Sequence, residues 1–300
     1  MRLTILGSSS ATPIYDRHPS SQVLSIDDTP YLIDCGEGTL FRINAFHVKK
    51  NKIKAIFISH LHGDHYYGLI GLLTTMSMQE RMEPITIISP KGLKDIIQLQ
   101  CDISKTILRF EIIYKEFNNL ESVEIYEDNH VRVLTIPLNH KITTCGFRFD
   151  KKIHPYRIDK NKIEQYELSP FAIKELIEGK SVSIGNQFIT LSDISIPVLE
   201  SKSYAYISDT TYHDSIVSKI QNIDLLYHEA TFLESERARA DATKHSTGKD
   251  AGTIAAKANV KKLLIGHFSA RYQDLNPILE EACIQFENTG LALEGLSFDI

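Results

Sequence analysis

Short apolar runs bounded by turn residues recur along this chain near 2–6, 22–26, 31–34, 54–58, 85–88, 131–136, 204–207, 223–227 and 262–265, and they predict β-strands. Between them, apolar positions recur at helical spacing near 68–80, 92–100, 170–178, 248–258 and 276–286. Strands alternating with helices indicate an α/β body. The early hairpin from Gln22 to Asp34 shows that its sheet is not purely parallel. No Pro/Gly/Ser-rich or like-charge stretch separates two halves, so the expectation is one domain over 1–300, and no short-period repeat is present.

The ends of the apolar runs carry the chemistry. Ala55-Ile56-Phe57-Ile58-Ser59 leads directly into His60-Leu61-His62-Gly63-Asp64-His65, three imidazoles and a carboxylate within six residues. A strand ending in a tight, Gly-containing turn can aim several donors at one point, and imidazole with carboxylate suits zinc and its first-row neighbours. Other runs end similarly: 131–136 leads to His140, 204–208 stops at Asp209, 223–227 at His228-Glu229, and 262–266 at His267. Strands of one sheet that finish on the same edge bring their following residues together, so these endings predict one shared cleft.

Composition narrows the field. With 300 residues and 42% hydrophobic content, the chain can bury a sizeable core. A formal net charge of −5 lacks the overall basic footprint of most polyanion binders, so any contact with nucleic acid has to come from a local patch. Cys35, Cys101, Cys145 and Cys283 are widely spread without a C-x-x-C pair and read as small apolar residues in a reducing compartment. The opening Met1–Leu6 run is too short for a secretory signal and no stretch reaches membrane-spanning length, so a cytoplasmic protein is expected.

The H-x-H-x-D-H spacing resembles the signature of the metallo-β-lactamase superfamily of binuclear metallohydrolases. His228-Glu229-Ala230-Thr231, His245-Ser246-Thr247 and His267-Phe268-Ser269-Ala270-Arg271-Tyr272 narrow the resemblance to the ribonuclease Z family, which processes tRNA 3′ ends. That resemblance implies an αββα four-layer sandwich with metals at one edge. It also implies His60, His62 and His140 on one zinc, Asp64, His65 and His267 on a second, and Asp209 bridging. A carboxylate has two oxygens and can serve both cations, which agrees with the role given to Asp209. Two zinc ions per subunit are expected, with manganese or cobalt equally compatible with such donors. Water shared between two such ions loses a proton near neutral pH and becomes the nucleophile.

In the family the counterpart of Asp64 is also the proton acceptor. A glutamate bonded to one imidazole nitrogen can keep the ring protonated, so Glu229 and His245 read as an orienting carboxylate and a general acid for the departing ribose 3′-oxygen. Ser246 and Thr247 also suit a helix N-cap. Arg271 is a candidate for a phosphate oxygen, its planar fork matching that geometry. Asp34 reads as a residue that orients a ligand histidine. Ser8 to Thr12 is a turn able to offer backbone N–H groups to an anion.

The implied activity is a zinc phosphodiesterase that removes the 3′ trailer from precursor tRNA by endonucleolytic cleavage after the discriminator region, leaving a 3′-hydroxyl. Family members act as homodimers, with the arm of one subunit serving the other, and no membrane is involved. An arm-like insertion is expected at about 150–200. The family's Gly/Pro-rich arm tip is missing, with Glu167-Leu168-Ser169-Pro170-Phe171 in its place. Lys151, Lys152, Arg157, Lys160 and Lys162, set against Asp150 and Asp159, allow either a modest basic patch or a solvated loop in the same segment. The altered arm and acidic charge support an alternative: a metallo-phosphodiesterase of the same fold acting on small phosphodiesters such as cyclic nucleotides.

Overall fold

A computed structural model describes residues 1–118, 121–152, 156–185, 187–197 and 201–300. The chain divides into two compact units, one formed by Met1–Lys151 with Lys202–Ile300, the other by Lys152–Ser201.

The larger unit is built on two seven-stranded mixed sheets. One runs in the order Ser297–Asp299, Arg2–Gly7, Ser21–Ile26, Thr29–Cys35, Ala55–Phe57, Ile85–Pro90, Ile112–Phe117. Its first three pairings are antiparallel and its last three parallel. The other runs Thr289–Leu291, Leu263–Gly266, Leu225–Glu229, Ser203–Ile207, Cys145–Lys151, Val131–Pro137, Glu124–Glu127, parallel through Ser203–Ile207 and antiparallel beyond. Because side chains alternate across a strand, each sheet sends one set of apolar residues inward and the next outward.

Leu3, Ile5, Leu24, Ile33 and Phe57 of the first sheet meet Val133, Phe147, Phe149, Tyr204 and Tyr227 of the second in a single buried layer. Phe57 packs edge-on against Phe149 at 5.0 Å, and Tyr206 stacks on Tyr227 at 5.0 Å. Such ring pairs add about 0.5–1.5 kcal/mol beyond the area they bury. The outward set of the first sheet, with Leu6, Leu32 and Ile56, is covered by helices Leu69–Met78 and Leu93–Ser104. Ala205, Leu226 and Ile265 of the second are covered by Gly248–Lys257 and Asn276–Gln285. The result is an αββα sandwich.

Strands that the apolar pattern did not mark are those whose outward face is polar or whose length is minimal. Cys145–Lys151 carries Arg148 and Asp150 among its aromatics and places Gly146 against the carbonyl of Tyr206, where a Cβ would sit at 2.4 Å. Thr289–Leu291 and Ser297–Asp299 have three residues each.

The smaller unit has its own core of Leu168, Leu176, Ile189 and Ile194. Its helices Lys160–Gln165 and Pro170–Ile177 are capped by Asp159, which accepts from the Asn161 N–H, and Ser169, which accepts from Ala172. The Glu167–Phe171 segment is therefore a helix start: Leu168 is buried, Ser169 caps, Pro170 occupies the first turn and Phe171 is exposed. Of the basic patch, Lys151 is an ion-pair partner of Asp27, and the Arg157 side chain lies outside the described residues. No helix among the described residues is long and apolar enough to cross a membrane.

Candidate metal centre

Topology delivers the donors to one edge. Strands Ser203–Ile207, Leu225–Glu229 and Leu263–Gly266 are parallel, so Asp209, Glu229 and His267 emerge together. Two antiparallel steps away, Val131–Pro137 runs in the same direction and delivers His140. From the first sheet, Ala55–Phe57 leads to His60, and a short helix Gly63–Tyr66 carries Asp64 and His65. His267 adopts a left-handed backbone with φ 61°, as does Asp34 with φ 53°. Each costs a non-glycine residue about 1–3 kcal/mol and is held by its surroundings.

The donor atoms form two interlocking sets. His60 Nε2 lies 3.0 Å from His62 Nδ1, which lies 3.2 Å from His140 Nε2. Asp209 Oδ2 is 3.5 Å from His60 Nε2 and 3.7 Å from His140 Nε2. In the other set, Asp64 Oδ2 is 3.3 Å from His65 Nε2 and 3.5 Å from His267 Nε2. Asp209 Oδ1 stands 3.4 Å and 3.2 Å from the same two nitrogens. The two oxygens of Asp209 thus divide between the sets, and within each group one ligand atom per residue lies within 4.8 Å of the others.

Hydrogen bonds behind the rings decide which nitrogen faces the cluster. Carbonyl oxygens only accept, so His140 Nδ1 donates to Lys244 O at 2.9 Å. His65 Nδ1 donates to Asp34 Oδ2 at 2.7 Å. Ser59 Oγ donates to Asp34 at 2.8 Å and so accepts from His60 Nδ1 at 3.0 Å. Thr231 Oγ1 donates to Glu229 at 2.6 Å and so accepts from His267 Nδ1 at 2.9 Å. In the neutral form four imidazoles therefore turn Nε2 toward the cluster, and among the described residues His65 Nε2 and His267 Nε2 are buried without a hydrogen-bond partner. Imidazole nitrogens and carboxylate oxygens converging in this way suit divalent cations, and orienting partners of this kind tune ligand affinity.

Electrostatics follow from the same crowding. Burial drives His60 well below the ordinary imidazole value, helped by His65, His140 and His62 and opposed by Asp209. Burial likewise lowers His62 and His140. Burial opposes charge on Asp64 and Asp209, yet the facing imidazoles outweigh it and hold both carboxyls below the usual range. Burial also opposes a proton on His245, but Glu229, with Asp209 and Asp64 behind it, raises that ring to about 9. Glu229 is fully buried and fully used: Oε1 accepts from Thr210 N at 2.9 Å and pairs with His245 Nδ1 at 3.0 Å, while Oε2 accepts from Thr231 N at 3.1 Å and Thr231 Oγ1.

A cleft of about 650 Å³ opens over the cluster, lined by His62, Asp64, His140, Asp209, His245, His267 and Arg271. Arg271 faces it without an ion pair among the described residues. The Ser8–Thr12 turn contributes the Ala11 N–H, which donates to Asp64 Oδ2 at 2.8 Å. Of the residues singled out in the sequence, those seven border the cleft, while His60, His65, Glu229 and Asp34 are buried behind it. Four contributors were not singled out for a role: Ser59 and Thr231, whose hydroxyls orient ligand histidines, and Lys141 and Arg239, which line the cleft as cations without ion pairs among the described residues. Thr231 lies inside a recognised motif, which was its available signal; the others carry none.

The chain is similar over nearly its whole length to two curated proteins named Ribonuclease Z. That of Cytophaga hutchinsonii is 44% identical over 298 residues, covering 99% of this chain and 95% of that one. That of Bacteroides fragilis is 39% identical over 299 residues, covering 99% and 98%. The chain belongs to the ribonuclease Z family. Residues 1–168, more than half of the chain, also match the family model described as Anti-Pycsar protein Apyc1, so the chain belongs to that family as well. Among solved structures, the short form of human tRNase Z superposes with a TM-score of 0.73 at 27% identity, covering 100% of this chain and 99% of that one. The metallo-β-lactamase fold protein YhfI of Bacillus subtilis superposes at 0.69 with 19% identity, covering 99% and 98%, which bears on the fold alone. As a ribonuclease Z family member, the protein is a metal-dependent hydrolase of metallo-β-lactamase fold.

Proposed function

We propose that this protein is a tRNA 3′-processing endoribonuclease that cuts precursor tRNA after the discriminator region and leaves a 3′-hydroxyl. The observation that carries the reading is the buried Glu229–His245 pair, 3.0 Å apart, at the same cleft as the seven-donor cluster, in a chain with full-length Ribonuclease Z relatives. His60, His62 and His140 would hold one divalent ion and Asp64, His65 and His267 a second, with the Asp209 carboxylate within reach of both sets. Zinc suits this nitrogen-rich donor set. Ions bound there supply Lewis acidity, polarising the scissile phosphate and acidifying water.

The chain's own groups do the rest. Asp64, held ionised, accepts the proton of the attacking water. His245, with Nδ1 committed to Glu229, keeps Nε2 for the proton that passes to the departing ribose 3′-oxygen. Arg271 faces a phosphate oxygen. The Lys152–Ser201 unit is the arm of the expected homodimer, and the reaction takes place in the cytoplasm.

The test is cleavage of a 3′-extended precursor tRNA by metal-loaded protein, with intact tRNA as competitor and a small chromogenic phosphodiester alongside. Cleavage that intact tRNA inhibits supports the reading. Turnover of the small diester alone, untouched by tRNA, contradicts it and transfers the site to small phosphodiesters.

A further inference from the structure

Tyr67 is the one exposed aromatic among the described residues lining the cleft, with 66% of its surface open to solvent. It is not a loose side chain. Its ring packs against Gly63, where a Cβ would come within 2.1 Å of the ring carbon Cε2. Tyr66 meets it edge-on with ring centroids 5.0 Å apart, and Tyr66 is itself packed against the helix-side core. The Tyr67 hydroxyl makes no hydrogen bond among the described residues, so the ring is not held there by a polar anchor. An exposed aromatic face beside a polar cleft offers a platform on which a base can stack.

The partner's chemistry follows from what surrounds it. Gly63 separates His62 from Asp64, so the ring packs on the residue between two candidate metal ligands. A phosphate held at those side chains leaves a base of the same strand within one nucleotide of the ring. Lys141, Arg239 and Arg271 line the same cleft without ion pairs among the described residues, and suit the neighbouring phosphates. Exposed aromatics that accept unstacked bases are the usual way proteins hold single-stranded RNA ends.

We propose that Tyr67 forms a nucleobase subsite at the lip of the cleft, stacking on the base of a nucleotide that adjoins the scissile phosphate. This rests on the RNA-cleaving function proposed above. The glycine at 63 is part of the subsite, because any larger residue would push the ring off the backbone that aligns it.

The experiment is a cycle between Tyr67 variants and abasic substrates. Precursor tRNAs are made with each of the two nucleotides flanking the cut either intact or abasic, and kcat/KM is measured for the wild type, Tyr67→Phe and Tyr67→Leu. On the intact precursor, Tyr67→Leu is expected to lose about 5- to 150-fold, the range of one base–aromatic stack, while Tyr67→Phe stays near wild type. On the substrate lacking the stacked base, the wild type and Tyr67→Leu should agree within about twofold. A loss of the same size on every substrate, or none on the intact one, overturns the subsite while leaving the endonuclease in place. Failure of the wild type to cut any precursor overturns the endonuclease reading and the subsite together.

Discussion

Replacing Glu229 by glutamine tests the proposed general acid through the groups that hold it. Both carboxylate oxygens face donors: Thr210 N and His245 on one, Thr231 N and Thr231 Oγ1 on the other. Glutamine accepts at one oxygen only, so its NH₂ confronts one of these pairs. If the NH₂ faces His245, Nδ1 has to become an acceptor and the ring is neutral. If it faces Thr231, a buried N–H is left without a partner, costing about 1–3 kcal/mol of stability. In either orientation the charge is gone. A charge-assisted hydrogen bond is worth about 1.5–3 kcal/mol. At 1.36 kcal/mol per pH unit, that lowers the His245 ring by about one to two units.

In the proposed role His245 acts in its protonated form, so the variant should run out of acid at lower pH. The basic limb of the kcat profile for precursor cleavage should move down by about one to two units, with the acidic limb in place. A thermal melt at a single pH measures the structural cost separately. An unmoved basic limb, with only a uniform fall in kcat, would refute the role given to Glu229 and make it a purely structural residue.

Asp34→Asn weakens the frame behind His65, since Asp34 accepts from Ser59 N at 2.7 Å, Ser59 Oγ at 2.8 Å, Tyr206 OH at 2.7 Å and the His65 ring. Metal affinity, titrated with a chelating indicator, should fall about 10- to 100-fold. Stripping the metal with a chelator removes the ligand that fills the bare Nε2 lone pairs. Unfolding should become easier by about 2.7 kcal/mol relative to protein held at a metal concentration a hundred times its Kd, read from denaturant midpoints. Gly68→Ala places a Cβ 2.2 Å from the carbonyl of Gly36, a backbone atom that cannot swing away. It should cost about 1–3 kcal/mol in the same assay; a smaller loss means that the loop holding Gly36 yields.

The candidate metal-binding cluster was legible because its members follow apolar runs, and strands of one sheet that end on one edge leave few places for the next residue to go. His60 to His65, His140, Asp209 and His267 all announce themselves in this way. The four-layer order was legible only through the family resemblance, since periodicity alone does not separate the inward Ile5 from the outward Leu6. Ser59 and Thr231 escaped a role because one hydroxyl in a turn looks like any other until its neighbour's tautomer is known. The helix Arg237–Thr243, which brings Arg239 to the cleft, escaped because RARADAT is too short and polar to show a face. Glu167–Phe171 stands where the family's Gly/Pro-rich motif is missing, and Ser169 and Pro170 make it the opening of a helix, which comparison with that motif does not reveal.

The most direct test of the central claim is end-mapping of the products from a single 3′-extended precursor tRNA incubated with metal-loaded protein. The account predicts one cut after the discriminator region, a 3′-hydroxyl on the tRNA fragment and a 5′-phosphate on the trailer, with the cut lost on His245→Ala and on metal removal. Stepwise trimming from the 3′ end, or a cut that persists without the metal, would contradict it.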